Sequence, residues 1–504
     1  MSRIPAEIHA LVPEELKNDY GIYWQEKSSR YYVYRDLGNP YDPVKKRSVS
    51  KRVNLGSIKD GAFKYSPSYL KNLEVARLKK ELAEKNDEAV KTVEETVQEN
   101  GQKGLVKTIR NAVESVEEVR QEAKVEYPLE VVLFVALLAA CAGYTSSVSI
   151  ALYWRQNRSE LEMLLGEFPE KDISHDTVNR LLKLIDPLKF QQLLVAVATP
   201  MIQKVGQRVF HFDGQAIKGS KTPEFPHGRF ILGAFESTNA VCLQAKLIES
   251  KKNEISEAIN LLEMMDLRPG DVVTADAMHT QKKLVAYLHQ RNVHYCLALK
   301  ENHPTFTAEV RSLFSGTADV SHVKTFETKD VDHNRIERRT YKVIDGRFLS
   351  KPLKEAWDGL DKGCLIETTT YSEKKLDNTV GDERPSCHTR YFISSIDPKQ
   401  VSEERIAEII RSHWSIENKM HWCLDNPFNQ DRIQCRDANY LQNRVCLNKI
   451  GLNAIRGIQK VIKQTTKQNY SIKTTQQLCN TAAGAVELLA QVDDLPQVLG
   501  AEES

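Results

Sequence analysis

Val209-Phe210-His211-Phe212-Asp213-Gly214 reads as an apolar strand that delivers a carboxylate. Val209, His211 and Asp213 share one strand face and Phe210 and Phe212 the other, because side chains alternate along a strand. Asp213 falls at the expected strand end, where Gly214 permits a sharp turn. Taken alone, an aspartate before a glycine is an ordinary turn residue. The same kind of text recurs at Asp271-Val272-Val273-Thr274-Ala275-Asp276-Ala277-Met278-His279, followed by helical text from Gln281 to Gln290. Asp276 taken alone also reads as the N-cap of that helix. Short apolar strands alternate with helices from about residue 206 to 460, which predicts an α/β domain.

A third acid lies in Arg411-Ser412-His413-Trp414-Ser415-Ile416-Glu417-Asn418-Lys419-Met420-His421-Trp422, within text that is helical from Glu403 onward. His413, Glu417 and His421 are spaced by four and share one helix face. Ile410 and Trp414 lie on an adjacent face that can pack. Two strand-borne aspartates and a helical glutamate suit two hard cations about 4 Å apart, which phosphoryl transfer on DNA requires. His413 and His421 are expected behind the carboxylates, orienting DNA or taking a proton.

Working outward, residues 1 to about 70 carry aromatic and basic strand-like text, Tyr31-Tyr32-Val33-Tyr34 and then Lys45-Lys46-Arg47 and Lys51-Arg52. This predicts a small β-rich module, either a DNA-contacting arm or a solvated sheet. Residues 71–125 read as a charged helical linker. In 126–205, Pro128 opens an apolar helix over Leu129 to Cys141, and Ser174 or Asp176 can cap a helix beginning near Val178. Residues 461–504 read as a helical, then polar tail ending in Asp493-Asp494 and Glu502-Glu503.

The chain has 504 residues, 41% hydrophobic and 27% charged, which fits a multidomain globular protein. A net charge of +2 neither favours nor opposes DNA, since phosphate contacts depend on local patches. The nine cysteines form no CxxC pair, which argues against zinc ribbons and disulfide scaffolds. The longest apolar run, Val131 to Tyr144, is too short to span a bilayer. No signal peptide is legible, so a cytoplasmic protein is expected.

The motifs resemble, in order, those of the ISAs-type insertion-sequence transposases, part of the DDE group with an RNase H-like core. The resemblance runs from about Tyr127 to Arg456. It rests on Tyr127-Pro128-Leu129-Glu130, Ser174-His175-Asp176-Thr177, Phe212-Asp213-Gly214-Gln215-Ala216-Ile217-Lys218-Gly219-Ser220 and Lys252-Asn253-Glu254-Ile255. It continues through Thr274 to Gln281, Leu297-Ala298-Leu299-Lys300-Glu301-Asn302-His303-Pro304, Arg335-Ile336-Glu337, Tyr391-Phe392-Ile393-Ser394-Ser395, and His413 to Asn418 with His421-Trp422 and Asp425. Two features depart from the family: the N-terminal segment of about 125 residues is long, and Gln215 and Lys218 stand where the family usually has lysine and arginine.

The resemblance implies a catalytic and metal-binding triad of Asp213, Asp276 and Glu417. It implies an RNase H-like mixed sheet flanked by helices, preceded by a helical domain and the small β-rich module. It also implies two Mg2+ ions, with Mn2+ as a substitute, and strand cleavage and transfer on terminal inverted repeats and target DNA. A homodimer or larger synaptic complex, in a bacterial cytoplasm at the nucleoid and away from membranes, follows from the same likeness. Lys218, Lys300, Arg411, His413, His421, Arg432, Arg436 and Arg444 are the expected DNA contacts. Arg432, Arg436, Arg444, Lys449, Arg456, Lys460, Lys463 and Lys467 read as a phosphate track along one helix side, or as a solvated helix face. Trp414 and Trp422 read as core, or as stacking surfaces for a base. The competing functions are a nuclease that cuts without joining, a DNA-binding regulator derived from a transposase, and a zinc hydrolase using His413, Glu417 and His421.

Overall fold

The computed structural model describes residues 4–492 except 18–19, 39–40, 43–46, 49–51, most of 71–97, 119, 122, 124, 203–205, 249–253, 318–321, 333–334 and 375–385. Lys45-Lys46, Lys51, most of the charged run 71–97, Lys252-Asn253 and the acidic tail lie outside the described residues. The chain divides into two units, Met1–Glu95 and Thr96–Ser504.

The first unit is the small β-rich module. Strands β1 (Gly21–Gln25), β2 (Arg30–Asp36), β5 (Arg52–Lys59) and β6 (Ala62–Tyr65) form one antiparallel sheet in that order, beside a two-residue pair, β3 (Tyr41–Asp42) with β4 (Arg47–Ser48). Val33, Leu55 and Ile58 pack with Val12 and Leu16 from the segment that follows the helix Ala6–Ala10. Alternation sends Tyr23 and Tyr32 to the opposite face, where their rings stack 5.6 Å apart. Tyr34 stands 5.8 Å from Tyr23, and Arg52 lies 4.4 Å above the Tyr34 ring.

The second unit is built on a nine-stranded mixed sheet. Its strands are β7 (Val209–Ile217), β8 (Arg229–Glu236), β9 (Val241–Ile248), β10 (Val272–Ala275), β11 (His294–Leu299), β12 (Lys324–Asp332), β13 (Arg335–Asp345), β14 (Cys364–Lys374) and β15 (Ser386–Ser394). They lie in the order β12-β13-β14-β15-β11-β10-β7-β8-β9. Among the described residues, only the pairings of β10 with β7 and with β11 are parallel. Phe210 and Phe212 enter an apolar layer with Val273, Tyr295 and Leu297 under the helix Lys282–Gln290. Asp213 is not at a strand end. β7 continues through Gly214 to Ile217, paired with Arg229 of β8, so Gly214 makes no turn there. The expected end is only the point where β7 loses β10 as a neighbour.

A helical layer covers β9. Its centre is the 29-residue helix Ala438–Thr466, which packs on Leu129–Cys141, His175–Leu184 and Pro187–Ala198. Leu129–Cys141 is apolar on every side and is buried almost throughout. Ser174, not Asp176, caps His175–Leu184 by accepting from Thr177 N at 3.2 Å. Two boundaries drawn from sequence do not hold. Gly104–Glu114, inside the expected linker, buries Leu105, Val106 and Ile109 in this layer. Ile472–Leu478 and Ala482–Ala490, inside the expected tail, belong to the same layer, where Ala482, Ala485, Val486 and Leu489 enter the core. Segments distant in sequence share one core because each helix has an apolar face that only the others cover.

At the start of β7 and β10, Arg208 and Asp271 form a buried ion pair, Nη2 to Oδ2 at 2.6 Å and Nε to Oδ1 at 3.0 Å. Removing Asp271 leaves the buried Arg208 with Asp266 alone, whose carbonyl accepts from it at 2.7 Å and whose carboxylate is 4.0 Å away. Asp271→Ala is expected to destabilise the protein by about 3–5 kcal/mol. Chemical denaturation checks this, and a loss under about 1 kcal/mol would show that water reaches the guanidinium.

Candidate active site

The site follows from register. Phe212 of β7 pairs with Ala275 of β10 across a parallel ladder, so the next residues, Asp213 within β7 and Asp276 just past the end of β10, come side by side. Asp276 occupies the N-cap position of a short turn, Ala277–His279, but its side chain makes no capping bond. The N-cap position of the following helix is Gln281, whose side chain makes no capping bond either. The Asp276 carboxylate is therefore not used as a cap and faces the cleft.

Glu417 arrives differently from expectation. The helix Glu403–Ser412 ends before His413, and Ile416–His421 is a π-helix, not a continuation at 3.6 residues per turn. Single π turns occur often at functional sites. Ile416 and Met420 are buried beneath it with Phe235 and Cys242. His413 and His421 flank Glu417, but each reaches a different aspartate. His413 Nε2 lies 3.6 Å from Asp276 Oδ1, and His421 Nε2 lies 3.2 Å from Asp213 Oδ2. Donor atoms of Asp213, Glu417 and His421 all fall within 4.8 Å of one another. A half-buried, a buried and an exposed donor converging on one point, two of them carboxylates, fit a divalent cation.

Two polar chains hold the acids. His211 Nδ1 and Thr274 Oγ1 are 2.5 Å apart, and Thr274 Oγ1 lies 2.8 Å from His413 Nδ1. Burial holds His211 well below the ordinary histidine range, with His413 and Lys419 acting in the same direction. His413 holds the Asp276 carboxyl below its ordinary value, with Lys300 adding to the effect. On the other side, His421 Nδ1 meets Gln215 Oε1 at 3.0 Å, and Gln215 Nε2 donates to Asp425 Oδ2 at 2.7 Å. Burial raises the Asp425 carboxyl to about 6, helped by the charge on Asp431.

The cleft above the acids, about 940 Å³, is lined by Asp213, Asp276, Lys300, Arg311, Arg390, Trp414 and Glu417 among others. Trp414 and Trp422 are 46% and 59% exposed, so neither is a core tryptophan. Arg390 and Arg411 stand 5.2 Å and 5.9 Å from the Trp414 ring. Lys300 is exposed at this wall, and Arg411 is exposed beside Trp414. Arg311 and Arg390 were not expected from sequence. Arg390 directly precedes the strand text Tyr391-Phe392-Ile393, the one signal that could have marked it.

The other expected DNA contacts diverge. Lys218 is exposed but pairs with Asp431 at 2.6 Å. His421 is buried, so it does not reach a DNA strand directly. Arg432 and Arg436 are exposed, but they precede the long helix, and Arg444 on it is half-buried. The phosphate track does not exist as one surface. Lys449 is buried and donates to Gln244 O at 2.6 Å, Arg456 donates to Ala240 O, and Lys460 to Asn239 O at 3.2 Å. These cations satisfy carbonyls of the β8–β9 hairpin, leaving Lys463 and Lys467 exposed at the helix end.

The family model for the transposase DDE domain matches residues 204–454, and the model for the DDE-associated domain matches 110–197. The chain belongs to the DDE transposase family. Among its relatives is "Putative transposase YncI" of Escherichia coli O157:H7, 28% identical over 305 residues, covering 59% of this chain and 74% of that protein. "H repeat-associated putative transposase YhhI" of Escherichia coli K12 is 25% identical over 295 residues, covering 58% and 75%. Among solved structures, a piggyBac transposase synaptic complex with hairpin DNA aligns over 76% of this chain and 77% of that chain, at 12% identity and a TM-score of 0.35. The strands β7 and β10 and the Glu417 turn of this transposase all fall inside the DDE match. Among the described residues no helix is long and apolar enough to cross a membrane.

Asp425 gives this site a pH signature. Its folded value, about 6, lies above the ordinary aspartate value of 3.8, so the folded state holds the proton more tightly. Its contribution to stability is full below about pH 4 and is lost as pH rises through 6. In metal-free protein, Asp425→Asn is expected to remove that fall. Denaturation at pH 5 and pH 7 checks it, and an unchanged pH slope in the variant counts against the assignment.

Proposed function

We propose that this protein is a DNA transposase whose Asp213, Asp276 and Glu417 bind the divalent ions of a strand-cleaving and strand-joining centre. The observation that carries the proposal is the parallel step from Phe212 and Ala275 to two adjacent aspartates, faced by a glutamate from a π turn. The sheet supports an RNase H-like core. β7, β8 and β9 form an antiparallel meander, and β10 and β11 add in parallel on the other side of β7. Mg2+ is the expected ion, with Mn2+ as substitute; carboxylate oxygens suit both. When bound, two such ions activate a water or 3′-hydroxyl and stabilise the leaving oxygen.

The chain's own residues supply the rest. His413, oriented through Thr274, keeps Asp276 ionised and aimed at the cleft. Lys300, Arg311, Arg390 and Arg411 give that wall positive charge for a phosphate backbone. Trp414 offers an exposed ring, backed by two arginines, for an unpaired base. The substrates are the element's terminal repeats and target DNA, in a bacterial cytoplasm. Joining two ends needs two such centres, hence a homodimer or larger assembly on DNA. The stacked Tyr23 and Tyr32 beside Tyr34 and Arg52 support a DNA-contacting role for the N-terminal sheet.

Labelled element-end DNA with Mg2+ tests the centre. Asp213→Ala, Asp276→Ala and Glu417→Ala are each expected to bind DNA and lose cleavage and joining about a thousandfold or more, as removal of several kcal/mol of ion-mediated stabilisation requires. Full activity in any one of them would displace that residue from the centre. Wild type that cuts but never joins pre-cut ends would make the protein a nuclease. For the N-terminal sheet, Tyr23→Ala with Tyr32→Ala is expected to weaken binding of end DNA about tenfold or more. Unchanged affinity would return that face to a solvated sheet.

A further inference from the structure

One nitrogen faces the same point as the carboxylates. His421 is 4% exposed, and its Nε2 is buried without a hydrogen-bond partner. That atom nevertheless lies 3.2 Å from Asp213 Oδ2 and belongs to the group of donors it forms with Glu417.

The other ring nitrogen decides what Nε2 presents. His421 Nδ1 is 3.0 Å from Gln215 Oε1, and a carbonyl oxygen only accepts, so Nδ1 carries the hydrogen. The amide orientation of Gln215 is itself determined. Its Nε2 donates to the Asp425 carboxylate, and its Oε1 also accepts from Gln430 Nε2 at 3.1 Å. Gln430 Oε1 in turn accepts from Asn448 Nδ2 at 3.2 Å. Flipping Gln215 would set its NH2 against that of Gln430 and its carbonyl against Asp425. In the tautomer with its hydrogen on Nδ1, His421 turns a lone pair toward two carboxylates. In a buried place that arrangement is unfavourable unless a cation lies between. The separation of 3.2 Å is close to the roughly 3 Å between neighbouring donors of an octahedral ion with bonds of about 2.1 Å.

We propose that His421 is itself a metal ligand through Nε2, alongside Asp213 and Glu417, and that Gln215 is the positioning residue that holds it in the ligating tautomer. Metal-bound histidines usually donate their second ring N–H to such a partner. His413 has the opposite arrangement. Thr274 has one hydroxyl hydrogen for two histidine nitrogens, and the arrangement that turns an N–H toward Asp276 has Thr274 donating to His413 Nδ1 and accepting from His211 Nδ1. His413 then supports a ligand, whereas His421 is one. An imidazole donor also raises the affinity of the site for Mn2+ relative to an all-oxygen site.

The assignment rests on the metal centre proposed above, and pulsed electron paramagnetic resonance on the full chain loaded with Mn2+ separates the two. Wild type is expected to show the echo modulation of one directly bound imidazole 14N, altered when histidine is supplied as 15N. His421→Asn is expected to lose that modulation, with Mn2+ affinity falling about tenfold or more, while His413→Asn keeps it. Gln215→Leu is expected to keep the modulation but bind Mn2+ about 10–100-fold more weakly by calorimetry. Mn2+ binding that depends on Asp213 but shows no nitrogen modulation, or modulation lost in His413→Asn and kept in His421→Asn, overturns the assignment and leaves the metal centre standing. If His421→Asn does not fold, the 15N-labelled wild type alone decides whether a histidine nitrogen binds the ion. No Asp213-dependent Mn2+ binding at all overturns both.

Discussion

Everything at this site depends on gathering negative charge. The register between β7 and β10 places Asp213 and Asp276 on adjacent strands, and the chain then adds Glu417, Asp425 and Asp431 around them. Like charges this close cost several kcal/mol in a partly desolvated cleft unless something offsets them. Each acid has its own device. Asp276 faces an N–H of His413 and Asp431 the ammonium of Lys218, while Asp213 faces His421 Nε2, the nitrogen that would share the proposed metal ion with it. Asp425 has only the amide of Gln215 to bond with, and it is the one whose carboxyl rises to about 6. Burial, with the charge of Asp431 beside it, is what raises that carboxyl.

Glu417 has to be held over this group from outside the sheet, and the helical layer does that. The chain runs from the Glu417 turn into the long helix Ala438–Thr466, which is fastened to the hairpin next to β7. Asn453 bonds both N and O of Cys242, and Lys449, Arg456 and Lys460 take carbonyls of the same hairpin. Burying Lys449 is costly, which burial expresses by lowering its ammonium value. Its hydrogen bond to Gln244 O is short and charge-assisted, so the cost goes into fixing the helix at one position on β9. The shared core with Leu129–Cys141 and the C-terminal helices makes that position rigid.

Strand text and charge spacing carried part of this arrangement. The alternation in Val209–Asp213 correctly separates the buried phenylalanines from the face with His211 and Asp213, because period two is a property of the strand itself. The three acids were visible as carboxylates at apolar strand or helix text. What sequence could not convey was direction. Spacing of seven and then four put Lys449, Arg456 and Lys460 on one helix side but could not say whether that side met water or the hairpin. The π turn at Ile416–His421 was equally hidden, since four-residue spacing describes an ideal helix and Ile416 and Met420 read as apolar in either geometry. Helices such as Gly104–Glu114 and Ala482–Ala490 looked peripheral because the apolar faces that cover them lie far away along the chain.

The two histidines show the same limit in finer form. In sequence His413 and His421 are equivalent, four residues either side of Glu417. The fold makes them different by what touches Nδ1. A threonine hydroxyl can donate or accept, so Thr274 allows His413 to keep a hydrogen on Nε2 for Asp276. An amide carbonyl can only accept, so Gln215 draws the hydrogen of His421 to Nδ1 and leaves Nε2 bare beside Asp213. The chemistry of each ring is thus decided by a residue 139 or 206 positions away in the chain. On the proposed ligation, glutamine at 215 is the residue that sets the His421 ring for the metal. An ammonium there would pair with Asp425 equally well, but it has no acceptor atom to fix the His421 tautomer.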